Sequence, residues 1–373
     1  MDSQLFKPIK LRGLELANRV VVSPMCQYSA TDGTASDWHI MHLGQYAVSG
    51  VGLVLAEATG VVPEGRISPN CLGLYSNENE QALKRVVAFA REYGNSPIGI
   101  QLAHAGRKAS TEPPWQGQGA MQPEDGGWEV VAPSAISFSN RSLMPKAMDK
   151  QDIAHAQEGF VQATKRAERL GFDCVELHAA HGYLMQSFLS PLSNKRDDEY
   201  GGSLKNRMRF PLEVFEKARA AWPKDKPMGI RITSSDWVDG GWEIEDSVTL
   251  AKELESRGCD FLVASSGGAT PDATVLAGPG YQVGFAAEIK RNLTDMQVMA
   301  VGLITDPHQA ENIIRSGQAD MVALARAMLY NPHWTWQAAV KLGQEAAYPH
   351  QYARCHPDLL GLPVPGKLPT AKL

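Results

Sequence analysis

Cysteine is scarce in this chain of 373 residues, and no part of it concentrates positive charge. The 5 cysteines lie far apart and form no C-x-x-C pair, which argues against a zinc site, an iron–sulfur cluster and a disulfide framework. The formal net charge is −5, without a basic cluster, so nucleic acid is not expected as a partner. No apolar run approaches the roughly 18 residues that a membrane span requires.

Two further absences narrow the class of protein. The first residues, Met1–Pro8, contain no apolar signal core, so we expect a cytoplasmic protein whose cysteines are free thiols. The chain also has no G-x-G-x-x-G fingerprint and no P-loop, which argues against a Rossmann-held dinucleotide and against an ATP site.

Short apolar segments alternate with longer amphipathic ones along most of the chain. The predicted strands are Arg19–Ser23, Leu53–Glu57, Ile98–Gln101, Cys174–His178, Met228–Ile232, Phe261–Ser265, Val298–Val301 and Met321–Leu324. The helical patterns include Glu80–Tyr93, Asp152–Leu170, Leu204–Trp222, Ile244–Arg257, Pro307–Ser316 and Pro332–Leu342. This alternation is typical of a parallel sheet covered by helices. It predicts a closed (β/α)8 TIM barrel over residues 1–345.

One connection is much longer than the others. The third predicted strand ends near Gln101, whereas the next helix begins near Asp152, and the segment between them is rich in Gly, Pro, Ser and Trp. Loops of that length without structure are uncommon in compact domains. We therefore predict that about residues 105–150 form an inserted capping subdomain, for which a hairpin is one expected form. Residues 346–373 show no helical period and are predicted to be a C-terminal arm.

The stretch from Val175 to Tyr183 is the most informative in the chain. Apolar residues typical of a buried strand lead directly into His178, His181 and Tyr183. Two imidazole donors and a phenol at the end of a core strand suit the polarisation of a carbonyl oxygen and the delivery of a proton beside it. The alternative is a pair of core histidines satisfied by backbone carbonyls.

A second group of candidates follows the last three predicted strands. Glycines such as Gly302 expose backbone N–H groups, and Arg326 offers a fork that can bind phosphate through two bonds. The loops after strands seven and eight are the usual phosphate site of such barrels. We therefore predict phosphate binding at Gly302 and Arg326, the alternative being a simple turn and a surface charge.

These residues belong to a longer signature. It comprises Leu184–Pro191, Asn194–Ser203 and Asn206-Arg207, together with Ser23-Pro24-Met25. From Leu5 to about Pro332 the chain thereby resembles the Old Yellow Enzyme family of FMN-dependent ene-reductases. Within that family it is most similar to the bacterial NADPH dehydrogenase and xenobiotic reductase subgroup, which has a cysteine beside the flavin.

The resemblance implies that the phosphate belongs to FMN, bound non-covalently. Gln101 would hydrogen-bond the flavin pyrimidine, and Arg231 would lie near N1 and O2, where negative charge gathers on reduction. Ala325 stands where the family usually has glycine, and it would crowd a backbone contact if its φ were positive. Gly60 stands where the subgroup often has alanine and would leave more room above the flavin. The implied cofactor-binding residues are Ser23, Pro24, Met25, Cys26, Gly60, Gln101, Arg231, Gly302, Ala325 and Arg326.

The resemblance also implies a reaction, the NADPH- or NADH-dependent reduction of the C=C bond of activated alkenes and of some nitro compounds. Hydride would come from flavin N5 and a proton from Tyr183, while His178 and His181 hold the substrate oxygen. Tyr28 would shape the substrate pocket, with simple packing nearly as good an explanation. The alternative function is a barrel lyase or isomerase acting on a phosphate substrate. Such an enzyme would need a Schiff-base lysine or a metal cluster, which the predicted strand ends lack.

Two residues keep more than one interpretation. For Cys26 we rank three interpretations: a thiol that adjusts the flavin's redox potential comes first, a small packing residue second, and a nucleophile third. Arg354 lies in a Gln-Tyr-Ala-Arg segment that in the subgroup reaches a neighbouring subunit's substrate site. Here Cys355-His356 replace the usual Gly and Trp, so a solvated arginine is an equal alternative. On this basis a homodimer or homotetramer is expected.

Overall fold

A closed barrel of eight parallel strands lies at the centre of the computed structural model, which describes residues 2–360. The strands are β1 (Ile9–Leu11), β2 (Leu14–Leu16), β3 (Val20–Val22), β4 (Leu53–Gly60), β5 (Ile98–Ala103), β6 (Val131–Ala132), β7 (Lys146–Ala147), β8 (Cys174–Ala179), β9 (Met228–Thr233), β10 (Phe261–Ser265), β11 (Gln297–Ala300) and β12 (Met321–Leu324). The barrel order is β3-β4-β5-β8-β9-β10-β11-β12, and β12 pairs with β3 to close it.

Helices cover the outside of this barrel. They are α1 (Asp37–Ala47), α2 (Asn77–Tyr93), α3 (Lys150–Leu170), α4 (Leu184–Leu189), α5 (Leu204–Ala221), α6 (Ile244–Ser256), α7 (Val283–Arg291), α8 (Pro307–Arg315), α9 (Arg326–Tyr330), α10 (Trp334–Leu342) and α11 (Pro357–Leu360). The predicted (β/α)8 fold is therefore confirmed. None of the described helices is long and apolar enough to cross a membrane.

Side chains along each barrel strand alternate between two hydrophobic clusters. Val175 and Leu177 of β8 point outward and join the cluster shared with the helices, which includes Phe160 of α3. Cys174 points inward and packs with residues such as Phe261 of β10. This period of two is the normal geometry of a strand that is buried on both faces.

The inner cluster also contains Leu11 and Leu16 of the β1–β2 hairpin, so this hairpin packs against the apolar interior of the barrel. Farther along the strands, the inward positions become polar. Gln101, Arg231 and Ser265 are examples, at or near the ends of β5, β9 and β10. The polar side chains thus gather at the C-terminal mouth, where catalytic groups of (β/α)8 barrels are found.

The segment between β5 and α3 contains one antiparallel contact of the kind expected for a hairpin, the isolated bridge between Thr111 and Ala120. Its β6–β7 pair is parallel, with Val131 opposite Lys146, and the rest consists largely of short 3-10 turns. A parallel pair needs a long crossover between its strands, which residues 133–145 supply. Arg107 ties this segment to the barrel, because its guanidinium donates to the carbonyl oxygens of Ile136 at 3.3 Å and of Ala269 at 2.5 Å. The extent of a capping subdomain stays a prediction.

The chain after α10 was expected to lack helical structure, but the described part contains it. A 3-10 helix covers His350–Cys355, and α11 follows it. Tyr352 packs edge-on against Trp336 of α10, with ring centroids 6.2 Å apart. The remainder of the predicted C-terminal arm, residues 361–373, lies outside the described residues.

The interior of the barrel predicts a packing limit at Gly99 of β5. A Cβ on this inward-facing glycine would overlap the Sγ atom of Cys174 and lie 2.7 Å from Cδ2 of Leu55. We expect Gly99→Ala to lower the free energy of unfolding by about 1–3 kcal/mol, the usual cost of overpacking, in urea unfolding experiments. Gly284→Ala in α7 is the control, because a Cβ there meets nothing within 4 Å. Equal stability of both variants would contradict this account of the core.

Candidate active site

The two histidines and the tyrosine predicted from the motif after β8 lie together at the mouth. The ring of His178 is perpendicular to that of His181 at 5.1 Å and to that of Tyr183 at 4.9 Å, measured between centroids. His178 ends the inward row of β8, while His181 adopts a left-handed backbone with φ 60°. The backbone N–H of His181 donates to Oγ1 of Thr233 at 2.8 Å, which anchors the turn to β9.

Both imidazoles are uncharged at neutral pH. Burial lowers the pKa of His178 well below its ordinary value, and the nearby charges of Arg231 and Lys108 lower it further. The pKa of His181 is lowered well below its ordinary value in the same way. Nδ1 of His178 accepts the backbone N–H of Ala180 at 3.3 Å. The single proton of the neutral ring is therefore on Nε2, where it can be donated to a ligand.

Tyr183 directly precedes α4 and keeps its proton. Burial, reinforced by the neighbouring Cys26 and Tyr28, raises the pKa of its phenol well above the ordinary value. Tyr28 itself has a left-handed φ of 49° and packs edge-on against Trp115 of the inserted segment, with 5.7 Å between centroids. Cys26, Tyr28 and Tyr183 pack against one cluster of buried apolar residues. Of the residues expected near the substrate, Tyr28 and Tyr183 thus pack against the same cluster.

Lys108 was not predicted as a site residue, yet its ammonium lies beside the phenol ring. Nζ donates to the carbonyl oxygens of His181 at 2.8 Å and of Gly268 at 3.2 Å, and it lies 5.3 Å from the centre of the Tyr183 ring. Burial and the charge of Arg107 lower its pKa to about 8. Lys108 therefore tethers the inserted segment to the turns after β8 and β10. It lies in a short 3-10 helix, Gly106–Lys108, after β5, and no local sequence pattern indicates its role.

The second predicted group forms one wall of a cavity of about 330 Å³. Gly302 has φ 114°, a conformation that favours glycine, and a Cβ there would lie 3.0 Å from Nε2 of Gln282. Ala325 has φ −113°, so its side chain does not cause the crowding of a backbone contact that a positive φ would have caused. Arg326 is exposed at the start of α9. Among the predicted residues, the cavity is lined by Ser23, His181, Arg231, Gly302, Ala325 and Arg326.

The predicted residues after β3 and at the end of β4 occupy the same end of the barrel. The N–H of Ser23 donates to the carbonyl of Leu324, which fixes the first turn, and Pro24, Met25 and Cys26 follow it half-buried. Burial raises the pKa of the Cys26 thiol well above its ordinary value. A thiol of this kind is a poor nucleophile. This leaves redox adjustment and packing as the interpretations of Cys26.

The absence of a side chain at Gly60 makes room for Arg66. A Cβ on Gly60 would lie 2.9 Å from Cγ of Arg66 and 3.3 Å from the carbonyl oxygen of Val62. A side chain at position 60 would therefore point toward Arg66, and glycine leaves the space that Arg66 occupies. Contact of Gly60 with a flavin stays a prediction.

Arg354 is exposed in the 3-10 helix His350–Cys355, on the outer layer of helices. Tyr352 of this turn packs against His333 and Trp336, at the start of α10 and within it. The reach of Arg354 into a neighbouring subunit, and with it the homodimer or homotetramer, stays a prediction.

The strands beneath the mouth hold a polar group that the sequence analysis did not single out. Gln101 of β5 donates its amide N–H to Oε1 of Glu176 at 2.6 Å, and Glu176 is fully buried on the inward face of β8. Nε of Arg231 and Oε2 of Glu176 have no hydrogen-bond partner within the described residues. The available signal was the single carboxylate in the otherwise apolar stretch Val175–Leu177. Orphaned buried donors and acceptors are typical of a site that binds a polar ligand.

Together, the fold and the site define a barrel protein with a cavity that is lined by Arg231 and Arg326 and lies beside a neutral imidazole pair. The glycine-lined cavity with Arg326 suits a phosphate. The Nε atom of Arg231 has no acceptor within the described residues, while Nη2 donates to Oγ of Ser265 at 3.4 Å. The free Nε donor and the Gln101 amide suit a heterocycle with hydrogen-bonding edges. These observations fit a flavin mononucleotide.

Comparisons with known proteins agree with this class. The NADH:flavin oxidoreductase / NADH oxidase family matches residues 4–345. NADPH dehydrogenase of Geobacillus sp. (strain WCH70) is 44% identical over 356 residues, covering 95% of this chain and 99% of that protein. NADPH dehydrogenase of Bacillus subtilis (strain 168) is 41% identical over 356 residues, with the same coverage of 95% and 99%. The solved structure of morphinone reductase superposes with a TM-score of 0.77 at 27% identity, covering 94% of this chain and 93% of that one.

The chain therefore belongs to the NADH:flavin oxidoreductase / NADH oxidase family. It is a flavin oxidoreductase that acts on NADPH, and FMN is its cofactor. This assignment replaces the alternative of a phosphate-substrate lyase or isomerase.

The phosphate assignment predicts a selective binding defect in Arg326→Gln. Loss of a charge-assisted hydrogen bond costs roughly 1.5–3 kcal/mol, which corresponds to about 10–100-fold weaker FMN binding by the apoprotein. Riboflavin, which lacks the phosphate, should bind equally to the variant and to the unaltered protein. Arg85→Gln is the control, since Arg85 is exposed on α2 and pairs with Asp37. If FMN and riboflavin lose affinity equally, Arg326 does not bind the phosphate.

Proposed function

We propose that this enzyme reduces the C=C bond of activated alkenes, chiefly α,β-unsaturated carbonyl compounds, with non-covalently bound FMN. The observation that supports this function is the pair of neutral imidazoles, His178 and His181, beside the protonated Tyr183. Donors for an oxygen and a proton source beside them are what reduction of a polarised double bond requires.

The flavin-site residues divide between the two ends of the cofactor. Gly302 and Arg326 would hold its phosphate, and Gln101 and Arg231 would contact its pyrimidine edge. When bound, FMN accepts hydride from NADPH and supplies hydride to the alkene. The protein's own groups bind and orient the substrate and move the proton.

The imidazoles would bind the substrate's carbonyl oxygen. Nε2 of His178 carries the proton of a neutral ring, and so it donates without adding a charge to the site. Nε2 of His181 lies 2.7 Å from Oγ of Ser265, and this bond holds the second ring in place. With the Ser265 hydroxyl as the donor of this bond, the proton of the neutral His181 ring would be on Nδ1 and could be donated to the substrate. Donors that are already oriented stabilise the negative charge that develops on the oxygen without further reorganisation.

Tyr183 would deliver the proton to the α-carbon. Its raised pKa keeps the phenol protonated throughout the neutral pH range, and its ring lies against His178. A cavity of about 330 Å³ beside Tyr183, lined in part by Lys108 and Phe138, provides a route from the inserted segment to the phenol. A substrate entering there would meet the proton donor directly.

His178→Ala and His181→Ala should each weaken the binding of phenols to the oxidised holoenzyme and slow alkene reduction by about 10²–10³-fold, as expected for the loss of one oriented donor. FMN content should be retained. Because both pKa values lie well below 6.5, phenol affinity should show no imidazole titration between pH 6 and pH 8. His308→Ala serves as the control, because His308 is an exposed residue of α8. Unchanged phenol titrations in both variants would contradict the assignment.

Tyr183→Phe should separate the two half-reactions. Reduction of the enzyme by NADPH does not need the phenol proton, whereas reoxidation by an enone does. Stopped-flow absorbance should therefore show an unchanged first step and a slower second step, while an acceptor that needs no proton at carbon reacts normally. If the Tyr183 hydroxyl had only a structural role, the substitution would instead lower the free energy of unfolding by about 1 kcal/mol. Equal slowing of both steps, or of neither, would return Tyr183 to a structural role.

A further inference from the structure

The proposed reaction makes no use of Glu176, although a buried carboxyl is costly to maintain. This residue is 0% exposed and lies on the inward face of β8, between Cys174 below it and His178 above it. One oxygen accepts the Gln101 amide, and the other has no hydrogen-bond partner within residues 2–360. Desolvation of a carboxylate normally costs several kcal/mol, unless partners compensate for it. Packing alone would be served better by an apolar side chain.

Arg231 on β9 is the nearest charge of opposite sign. Glu176 stands opposite Gly229 in the sheet register, and His178 stands opposite Arg231, so the guanidinium lies nearer the mouth than the carboxyl. The charge of Arg231 opposes the rise in the pKa of Glu176, and Glu176 in turn supports the charged form of Arg231. In the described structure, however, the Nε atom of Arg231 donates to no acceptor. Its Nη2 atom donates to Oγ of Ser265 at 3.4 Å. Glu176 therefore offsets part of the positive charge of Arg231, while the Nε donor stays available for a ligand.

Gln101 receives a fixed orientation from the same carboxyl. Its NH2 group is engaged by Oε1 of Glu176 at 2.6 Å. The amide oxygen is consequently turned away from Glu176 and remains available as an acceptor. A flavin pyrimidine presents one N–H donor between two carbonyl oxygens, and an acceptor from Gln101 beside a donor from Arg231 matches that edge.

We propose that Glu176 is a positioning residue of the flavin site, which orients the Gln101 amide and offsets the positive charge of Arg231, and so sets the reduction potential of bound FMN. The inference rests on the placement of FMN above Gln101 and Arg231. It does not depend on the identity of the substrate.

The direction of the effect follows from the charges. Reduction brings negative charge to the flavin, which the Arg231 cation stabilises and the Glu176 anion opposes. Burial raises the pKa of Glu176 to about 7, with Arg231 and the Gln101 amide acting against the rise. The groups that face it are these two, from β9 and β5, and Cys174 and His178 on its own strand. Above this pKa the carboxylate lowers the flavin potential, and below it the neutral acid does not.

The test compares the holoenzyme with Glu176→Gln, which keeps the size of the side chain and an acceptor for Gln101 but removes the charge. The midpoint potential of bound FMN is measured against a reference dye at pH 6 and at pH 8. At pH 8 the variant should favour the reduced cofactor about tenfold more than the unaltered enzyme does, which corresponds to about 30 mV for a two-electron couple. At pH 6 the difference should largely vanish.

Cys174→Ala, on the same strand and also facing inward, controls for altered packing and should leave the potential unchanged. Equal potentials in Glu176→Gln and the unaltered enzyme at both pH values would overturn the proposal. Should the Gln variant fail to retain FMN, Glu176→Asp provides the second test, because it keeps the charge and should keep the pH-dependent part of the potential. Loss of that part in the Asp variant would likewise overturn it. None of these measurements uses an alkene, so they stand apart from the test of the proposed reaction.

Discussion

The register of β8 between β5 and β9 is the constraint on which the site depends. It places Cys174, Glu176 and His178 on the inward face in successive layers. A slip of one residue would turn these side chains toward the helices and bring Val175 and Leu177 into the barrel. The apolar floor, the buried carboxyl and the imidazole at the mouth are therefore consequences of one pairing.

Removal of water then gives the mouth its chemical character. The same burial that lowers the pKa values of His178 and His181 raises that of Tyr183, because in each case it disfavours the charged form. The result is a set of neutral N–H and O–H donors around a space that can bind an oxygen. Positive charge is left to Arg231 and Lys108, which are held by neighbouring strands and turns.

Much of the fold could be predicted because buried parallel strands are short, apolar and regularly separated by helices. Helix α1 was not predicted, since its buried face carries His39, His42 and Tyr46, which blur the apolar period. In the insertion, the parallel β6–β7 pair was not predicted, because strands of two residues show no alternation of apolar and polar residues. The antiparallel bridge between Thr111 and Ala120 agrees with the expected hairpin. Strand β4 continues through Gly60 beyond a register shift between Ala56 and Ala58, which no local pattern indicates.

The sequence by itself determined the fold class, the family resemblance and the candidate residues for the chemistry, because strand periodicity and the motif from Val175 to Tyr183 are local properties. Only the tertiary structure decided which buried groups meet. The bond between Gln101 and Glu176 and the tether from Lys108 to His181 join residues that are distant in the chain. The backbone conformation was also needed, as at Ala325, where a negative φ removes the steric crowding that was considered from the sequence. Contacts and dihedral angles of this kind arise from the closure of the barrel, and no short segment of sequence encodes them.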